Sequence, residues 1–369
     1  MKVLHLTTHL NTGGITIYIL RLLKRFEERD VQTVVVSGGG EYTEAFRARG
    51  ARVFELPMKT KSELNPNLYL NLPKLIKIVR DNQISVIHAH TRVAQVMAFW
   101  VQAFTKVPVV TTYHGFYTRR LGRRINPAWG DRAIAISSAV GEHLVKDHKL
   151  PQNRLRVVNN GIDFDEMDKA CRTHDGATAK IHFGFARTDP VIGNVARLVP
   201  DKGQEYLIRA LEVVKAKFPN IRLLVVGEGR NRMELENLVE TLNLKANVFF
   251  TGNLKDVTYA LAAMDIFAFP ATWKEGFGLS IVEAIACHKP VIVTDVWALN
   301  DLITDRENGL IVEPKSSGAL AEAITLLLED KELREKIEVN AFRMAEENFS
   351  LERMASEILD VYKEVTGLS

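Results

Sequence analysis

The sequence predicts an α/β protein built as two Rossmann-like halves, and three observations predict it. At 369 residues the chain is longer than a single hydrophobic core usually organises. A β-rich apolar run, a glycine loop and an amphipathic helix follow one another in KVLHLTTHLNTGGITIYILRLLKRF from Lys2, and the same order restarts in VIGNVARLVPDKGQEYLIRALEVVKAKF from Val191. Elsewhere, short apolar runs keep alternating with segments of helical period, as parallel sheets covered by helices require.

Taken in order, the first half opens on a strand, then Gly13-Gly14, then apolar positions Ile15, Tyr18, Ile19, Leu22 and Leu23 on one helical face. The paired glycines do not complete a GxGxxG, so dinucleotide binding is not indicated. VQTVVVSGG reads as a strand, EYTEAFRARG as a short helix closed by glycine, ARVFELP as a strand and LYLNLPKLIKIVRDNQ as helical. In SVIHAHT, His88 and His90 lie two apart and face the same way. With His5 or His9 they would suit zinc, but the preferred reading is imidazoles that line the ligand crevice or bond to the backbone. A helix from Val93 to Thr105 precedes VPVVTTYHGFY, whose C-terminal end delivers Tyr113, His114 and Gly115 to the end of the sheet where open α/β proteins bind ligands. DRAIAISSAVGEHLVKD is a strand and a helix capped by Ser137 or Ser138, and LRVVNNGIDFDEM is the last strand of this half. Asp163 and Asp165 form a DxD, read as helix-capping acids rather than metal ligands.

The polar stretch from Asp168 to Lys180 reads as the bridge between domains. Beyond it, Arg197 closes a strand and Lys202 precedes a helix, two cations suited to an anion. IRLLVVGEGRNRMELENLV supplies a strand ending on Gly227, and a turn at Thr251 to Asn253 is placed to present its backbone groups to a nucleobase. IFAFP is a strand stopped by proline, and PATWKEGFGLSIVEAIACHKPVIVTD follows it. There Gly276 and Gly278 precede a helix that starts near Gly278, because Leu279, Ile281, Val282, Ile285 and Ala286 keep a helical period. Such a start leaves N–H groups open and carries the positive end of the helix dipole, which suits a phosphate. Glu275 and Glu283 flank it and suit sugar or ribose hydroxyls; an acidic first turn that merely favours the dipole is the plain alternative. The chain closes with a strand and three helices.

The segment EGFGLSIVEAIACHKPVIVTD resembles the signature of the family 4 retaining glycosyltransferases, whose two glutamates are separated by seven residues, as Glu275 and Glu283 are. The resemblance extends from the first strand to the last helix. It implies the GT-B architecture, two Rossmann-like domains facing a central cleft with the C-terminal helix crossing back to the first. It places an acceptor-binding domain at 1–175 with 350–369, and a nucleotide-sugar donor-binding domain at 176–349. The resemblance further implies transfer of a hexosyl-type sugar from a nucleotide-diphosphate donor to a glycan, glycolipid or small hydroxylated acceptor, in cell-surface polysaccharide or lipopolysaccharide assembly. Catalytic roles then fall on His114, Glu275, Arg197 and Lys202, the last two forming an R-x4-K grip on the diphosphate. Donor binding falls on Gly13, Gly14, Gly227, Asn253, Gly276, Phe277, Gly278, Leu279 and Glu283, with no metal and no cofactor. A nucleotide-sugar epimerase and a non-catalytic carbohydrate-binding protein are the alternatives.

Composition bounds the remaining partners. With 46% hydrophobic and 25% charged residues the chain is ordinary for a soluble globular protein. No apolar run is long enough to span a membrane, and the opening strand leaves no place for a secretory signal, so a cytoplasmic protein is expected. Cys171 and Cys287 match no metal or redox spacing and read as packing residues in a reducing compartment. The net charge of +3 hides an asymmetry: residues 1–180 hold 27 Lys and Arg against 16 Asp and Glu, hence +11, and residues 181–369 hold 21 against 29, hence −8. Arg119, Arg120, Arg123 and Arg124, interleaved with Tyr117, Leu121, Ile125 and Trp129, read either as a solvated loop or as a contact for an acceptor or the anionic inner face of the cell membrane. A near-neutral whole and the lack of RNA-binding motifs argue against nucleic acid.

Overall fold

The computed structural model describes residues 1–60, 62, 63, 65–118 and 121–368. Arg119 and Arg120 lie outside the described residues. Contacts divide the chain into two units, Met1–Gly161 with Leu351–Ser369, and Ile162–Ser350.

The first unit runs β1 (Lys2–Leu6), α1 (Gly14–Glu27), β2 (Gln32–Ser37), α2 (Thr43–Ala48), β3 (Arg52–Glu55), α3 (Pro66–Leu70), α4 (Leu72–Asp81), β4 (Val86–Ala89), α5 (Arg92–Thr105), β5 (Val109–Tyr113), α6 (Leu121–Ile125), β6 (Arg132–Ala135), α7 (Ser138–Lys146) and β7 (Leu155–Val157). Its strands form one parallel sheet in the order β3-β2-β1-β4-β5-β6-β7. The order turns back between β1 and β4, the switch point at which such sheets bind ligands. Both faces are covered, and alternation along β1 decides which residue goes where. Val3 joins the core under α1 with Ile19, Leu22 and Phe26, while Leu4 and Leu6 join the opposite core with Val93 and Met97 of α5. Ser137 caps α7 by accepting from Val140 N at 3.2 Å, as its position before the apolar period predicts.

The second unit runs α8 (Phe164–Arg172), α9 (Gly176–His182), β8 (Val191–Val195), α10 (Gln204–Lys215), β9 (Arg222–Val226), α11 (Arg232–Thr241), β10 (Val248–Gly252), α12 (Thr258–Ala263), β11 (Ile266–Phe269), α13 (Leu279–Ala286), β12 (Val291–Thr294), β13 (Leu310–Val312), α14 (Ser317–Glu329) and α15 (Lys331–Phe349). Its parallel sheet has the order β10-β9-β8-β11-β12-β13, so its switch point lies between β8 and β11. The last helix, α16 (Leu351–Thr366), returns to the first unit. Leu351, Met354, Ala355, Ile358, Val361 and Tyr362 make its buried stripe, in one core with α1. Each large side chain so buried contributes about 1.5–3 kcal/mol. Arg29 pairs with Glu352, and Arg132 and Arg156 converge on Glu364, so charge fixes both ends of the stripe.

Three expectations are corrected. The stretch 168–180 is not an open bridge: it lies within α8 and α9, where Cys171 and Ala179 are buried. Its small and polar residues form short capped helices, with Asp163 and Asp175 accepting from Glu166 N and Thr178 N. The DxD acids are thus cap and first turn of α8, as read from sequence. Cys171 and Cys287 are not separate packing residues; they are joined in a disulfide, with Cα atoms 5.7 Å apart. A separation of 116 residues says nothing about space once α8 packs on α13, and a disulfide is not the state that a reducing compartment maintains. The arginine window is not wholly loop, since Leu121–Ile125 forms a short helix. No helix among the described residues is long and apolar enough to cross a membrane.

Candidate active site

In the second unit Arg197, Lys202, Glu275 and the start of α13 gather beyond the C-terminal ends of β8 and β11, on either side of the switch point, while Gly227 and Asn253 follow β9 and β10. Gly203 makes this possible. It has φ +67°, and a Cβ there would lie 1.9 Å from the carbonyl oxygen of Pro270, so only glycine lets the two loops touch. Thr272 N donates to Asp201 O at 2.9 Å and fixes the same contact. The result brings Lys202 beside Glu275, and the two side chains form an ion pair that is 17% and 16% exposed. Lys202 Nζ also lies 4.9 Å from the centre of the Phe269 ring, at the end of β11. The second Glu275 oxygen accepts from Gly276 N at 3.0 Å.

Gly278 is the N-cap of α13, as the periodicity predicts, with φ +86° and no side-chain cap. A Cβ there would meet Ile281 at 2.8 Å and Leu299 at 3.1 Å. The helix start is therefore capped by backbone alone and keeps its positive end open to an anion. Leu279 is the first residue of α13, and Glu283 lies half-buried one turn on. Phe277 is buried against Phe349, ring centres 5.4 Å apart, so its side chain anchors the loop. Arg197 is exposed, and its guanidinium has no hydrogen-bond or ion-pair partner among the described residues. Gly227 has a different reason to be glycine: a Cβ would sit 2.1 Å from Ala196 O, so the close approach is the protein's own, holding the Arg197 loop in place. Asn253 is exposed just beyond β10.

In the first unit, Gly13 and Gly14 stand exposed at the start of α1 with open space where a Cβ would point. Neither packing nor a left-handed backbone requires glycine there; Gly13 is the N-cap of α1 and Gly14 its first residue. His114 follows β5, half-buried, with its backbone N–H donating to the Tyr117 hydroxyl at 3.2 Å. Burial lowers its pKa to about 3, so the ring is neutral at pH 7. Its Nε2 lies 3.3 Å from Nδ1 of His90, and His90 Nε2 lies 3.0 Å from Nδ1 of His5. His88 bonds the Tyr362 hydroxyl at 2.5 Å and the Thr112 hydroxyl at 2.6 Å. The strand histidines therefore bond to side chains and to one another rather than to backbone. His5, His88 and His90 come within 4.8 Å, near enough for a metal, and His9 takes no part. Both nitrogens of His88 are already engaged by hydroxyls.

The arginines divide. Arg123 stacks 4.7 Å from the Tyr117 ring centre, whereas Arg124 is exposed beside Leu121 and Ile125, themselves 68% and 77% exposed. Trp129 is buried. Sequence reasoning missed the residue that fastens this segment. Arg92, the first residue of α5, donates to both oxygens of Glu63 at 2.9 Å and to the carbonyls of Gly122, Asn126 and Pro127. It missed the Lys202–Glu275 pair and the histidine chain as well, because each joins residues that are distant in sequence and meet only through the order of the strands.

Two family models together match most of the chain: Glycosyltransferase Family 4 over residues 12–166 and Glycosyl transferases group 1 over residues 178–344. The capsular polysaccharide biosynthesis glycosyltransferase CapM of Staphylococcus aureus is 27% identical, over 96% of either chain. Among solved structures, a glycosyltransferase of Rickettsia africae superposes with a TM-score of 0.89 at 22% identity, covering 100% of this chain and 99% of that one. Anabaena HepE, solved with UDP-glucose, superposes at 0.84 with 23% identity, covering 99% and 100%. Two parallel-sheet Rossmann-like units with these neighbours define the GT-B class of fold. The chain belongs to the family 4 glycosyltransferases.

Proposed function

We propose that the chain transfers a hexosyl-type sugar, with retention of anomeric configuration, from a nucleotide-diphosphate donor to a glycan or glycolipid acceptor in cell-surface polysaccharide or lipopolysaccharide assembly. The Lys202–Glu275 pair beside the open start of α13 carries the reading. Charge on both partners is balanced within the protein, and a donor exchanges that balance for two new contacts. Lys202 turns to the diphosphate and Glu275 to a hydroxyl of the sugar, while Arg197 adds a forked cation and α13 its N-terminal dipole.

Departure of the nucleoside diphosphate leaves oxocarbenium character on the sugar and builds charge on the leaving phosphate, which these groups stabilise without a metal ion. Glu283 takes a ribose hydroxyl, and His114, neutral at pH 7, takes a hydroxyl of the donor sugar. The backbone at Gly13, Gly14, Gly276, Phe277, Gly278 and Leu279 follows the donor, with Asn253 at the base. Departure and attack then occupy one face of the sugar, with no covalent intermediate assigned. The bound UDP-glucose of the Anabaena structure and the capsular role of the staphylococcal relative support a nucleotide-sugar donor and a glycan product. The basic first unit supports an anionic surface near the acceptor, with Arg124, Leu121 and Ile125 outward. Arg123 adds charge from its seat on Tyr117.

A thermal-shift panel of UDP-, GDP- and ADP-sugars tests the donor. One nucleotide class should raise the melting temperature in proportion to ligand concentration over its dissociation constant. No shift with any of them contradicts the reading.

A further inference from the structure

His114 is the outer end of a chain of three imidazoles that starts in the middle of the sheet. His5 lies in β1, His90 follows the last residue of β4, and His114 follows the last residue of β5, and these are adjacent strands. His5 and His90 are fully buried. The contacts run His5 Nδ1 to His90 Nε2 at 3.0 Å and His90 Nδ1 to His114 Nε2 at 3.3 Å. Tyr18 closes the chain laterally: its ring stands edge-on to His114, with centres 4.8 Å apart, and 5.7 Å from His90. At the inner end, His5 Nε2 is buried with no partner.

A chain of neutral imidazoles has two consistent polarities, since each contact needs one N–H and one lone pair. Running outward, His5 Nδ1–H donates to His90 Nε2, and His90 Nδ1–H donates to His114 Nε2. Running inward, every proton moves to the other nitrogen, and the inner end becomes a buried N–H on His5 Nε2 that has nothing to bond. Either way His5 Nε2 stays unsatisfied, as a bare lone pair or as a bare N–H, and orphaned buried N–H groups are the rarer of the two. The missing partner at His5 Nε2 therefore selects the outward polarity. We infer that His5 and His90 are positioning residues that fix His114 in the Nδ1–H tautomer, so that its outer nitrogen is a hydrogen-bond donor. Burial keeps all three rings neutral, consistent with this polarity.

For catalysis the inference rests on the reading of His114 as a contact of the donor sugar. An Nδ1–H donor directs one lone pair of a sugar hydroxyl toward His114 and leaves that hydroxyl's own proton for an acceptor elsewhere, whereas the other tautomer would present a lone pair. The polarity of the sugar contact is thus decided more than one residue away from the ligand, by an imidazole in β1.

The test is the long-range 1H–15N spectrum of the histidine rings in labelled protein, with the His114 signals identified by their absence in His114→Gln. The parent should show His114 protonated at Nδ1; protonation at Nε2 overturns the inference without need of any further variant. His5→Asn keeps a donor near the Nδ1 position, and His5→Phe removes it. The first should hold the His114 tautomer and its kcat. The second should mix the tautomers and lower kcat about tenfold, the equivalent of one hydrogen bond, with KM for the donor nearly unchanged. A folded His5→Phe protein with the parent's tautomer and kcat overturns the role of His5. If His114 has the Nδ1–H tautomer but His114→Gln transfers sugar at the parent's rate, the relay stands and the reading of His114 as a sugar contact falls.

Discussion

Under the proposed function, Lys202 and Glu275 cannot both keep their mutual contact and serve the donor, and that conflict makes Glu275→Ala informative. With about one-sixth of each side chain exposed, the pair lies between a surface ion pair, at about 0.2–1 kcal/mol, and a buried one, whose breaking costs about 3–5 kcal/mol. An attraction of about 1–2 kcal/mol is then given up whenever the diphosphate takes Lys202. Removing Glu275 removes that cost, so the bare nucleoside diphosphate should bind Glu275→Ala as tightly as the parent or up to roughly tenfold more tightly. Transfer from the intact nucleotide sugar should fall, because the hydroxyl contact is lost, by about 1.5–3 kcal/mol or roughly 10- to 150-fold. Lys202→Ala should behave oppositely and weaken the bare nucleotide by a similar factor. Titration calorimetry with the diphosphate and turnover with the nucleotide sugar separate the two. If Glu275→Ala weakens the bare nucleotide as much as Lys202→Ala does, the exchange of partners is wrong.

Four further outcomes are expected. Arg197→Ala should depress transfer strongly while EDTA leaves it unchanged; a strict need for magnesium or manganese would contradict this. Stability should decline as pH falls below about 6.5. The buried His5 has a pKa lowered to about 3, so the unfolded chain binds its proton first, a loss of about 2 kcal/mol by pH 5, and His88 and His90 act with the same sign. A urea midpoint that is flat from pH 7 to 5 would refute that. Reduction should destabilise the second unit, since chain entropy assigns a bridge spanning 116 residues about 3–5 kcal/mol, and a thiol titration of denatured, unreduced protein should find neither cysteine free. Anionic vesicles at low salt should pellet the protein more than neutral ones, at about 1 kcal/mol for each cation near the surface. Replacing Arg124, Leu121 and Ile125 by serine should remove most of the difference, and equal pelleting on both vesicles leaves the exposed residues of α6 without that use.

Much of the fold is legible because it depends on local periodicity. The start of α13 at Gly278 and the strand Ile266–Phe269 both follow from apolar spacing and a glycine or proline stop. What depends on pairing across the sheets is not legible. His88 and His90 share a face by parity alone, but that His5 and His114 lie against them requires the order β1-β4-β5. The Cys171–Cys287 bridge requires the packing of α8 on α13, and the Lys202–Glu275 pair requires the contact of Gly203 with Pro270. Composition misleads at 168–180, where few apolar residues are present but Cys171 and Ala179, with Phe164 just before the stretch, are buried on two short capped helices.

Sugar transfer with retention at this site is tested most directly by the anomeric configuration of the first product. An α-linked nucleotide sugar of the class selected in the thermal-shift panel, incubated with a hydroxylated acceptor and followed by proton NMR from the first turnover, should yield an α-glycoside. Glu275→Ala and Arg197→Ala should slow its appearance. A β-linked product would contradict retention, and release of nucleotide at the parent's rate by both variants would contradict the site.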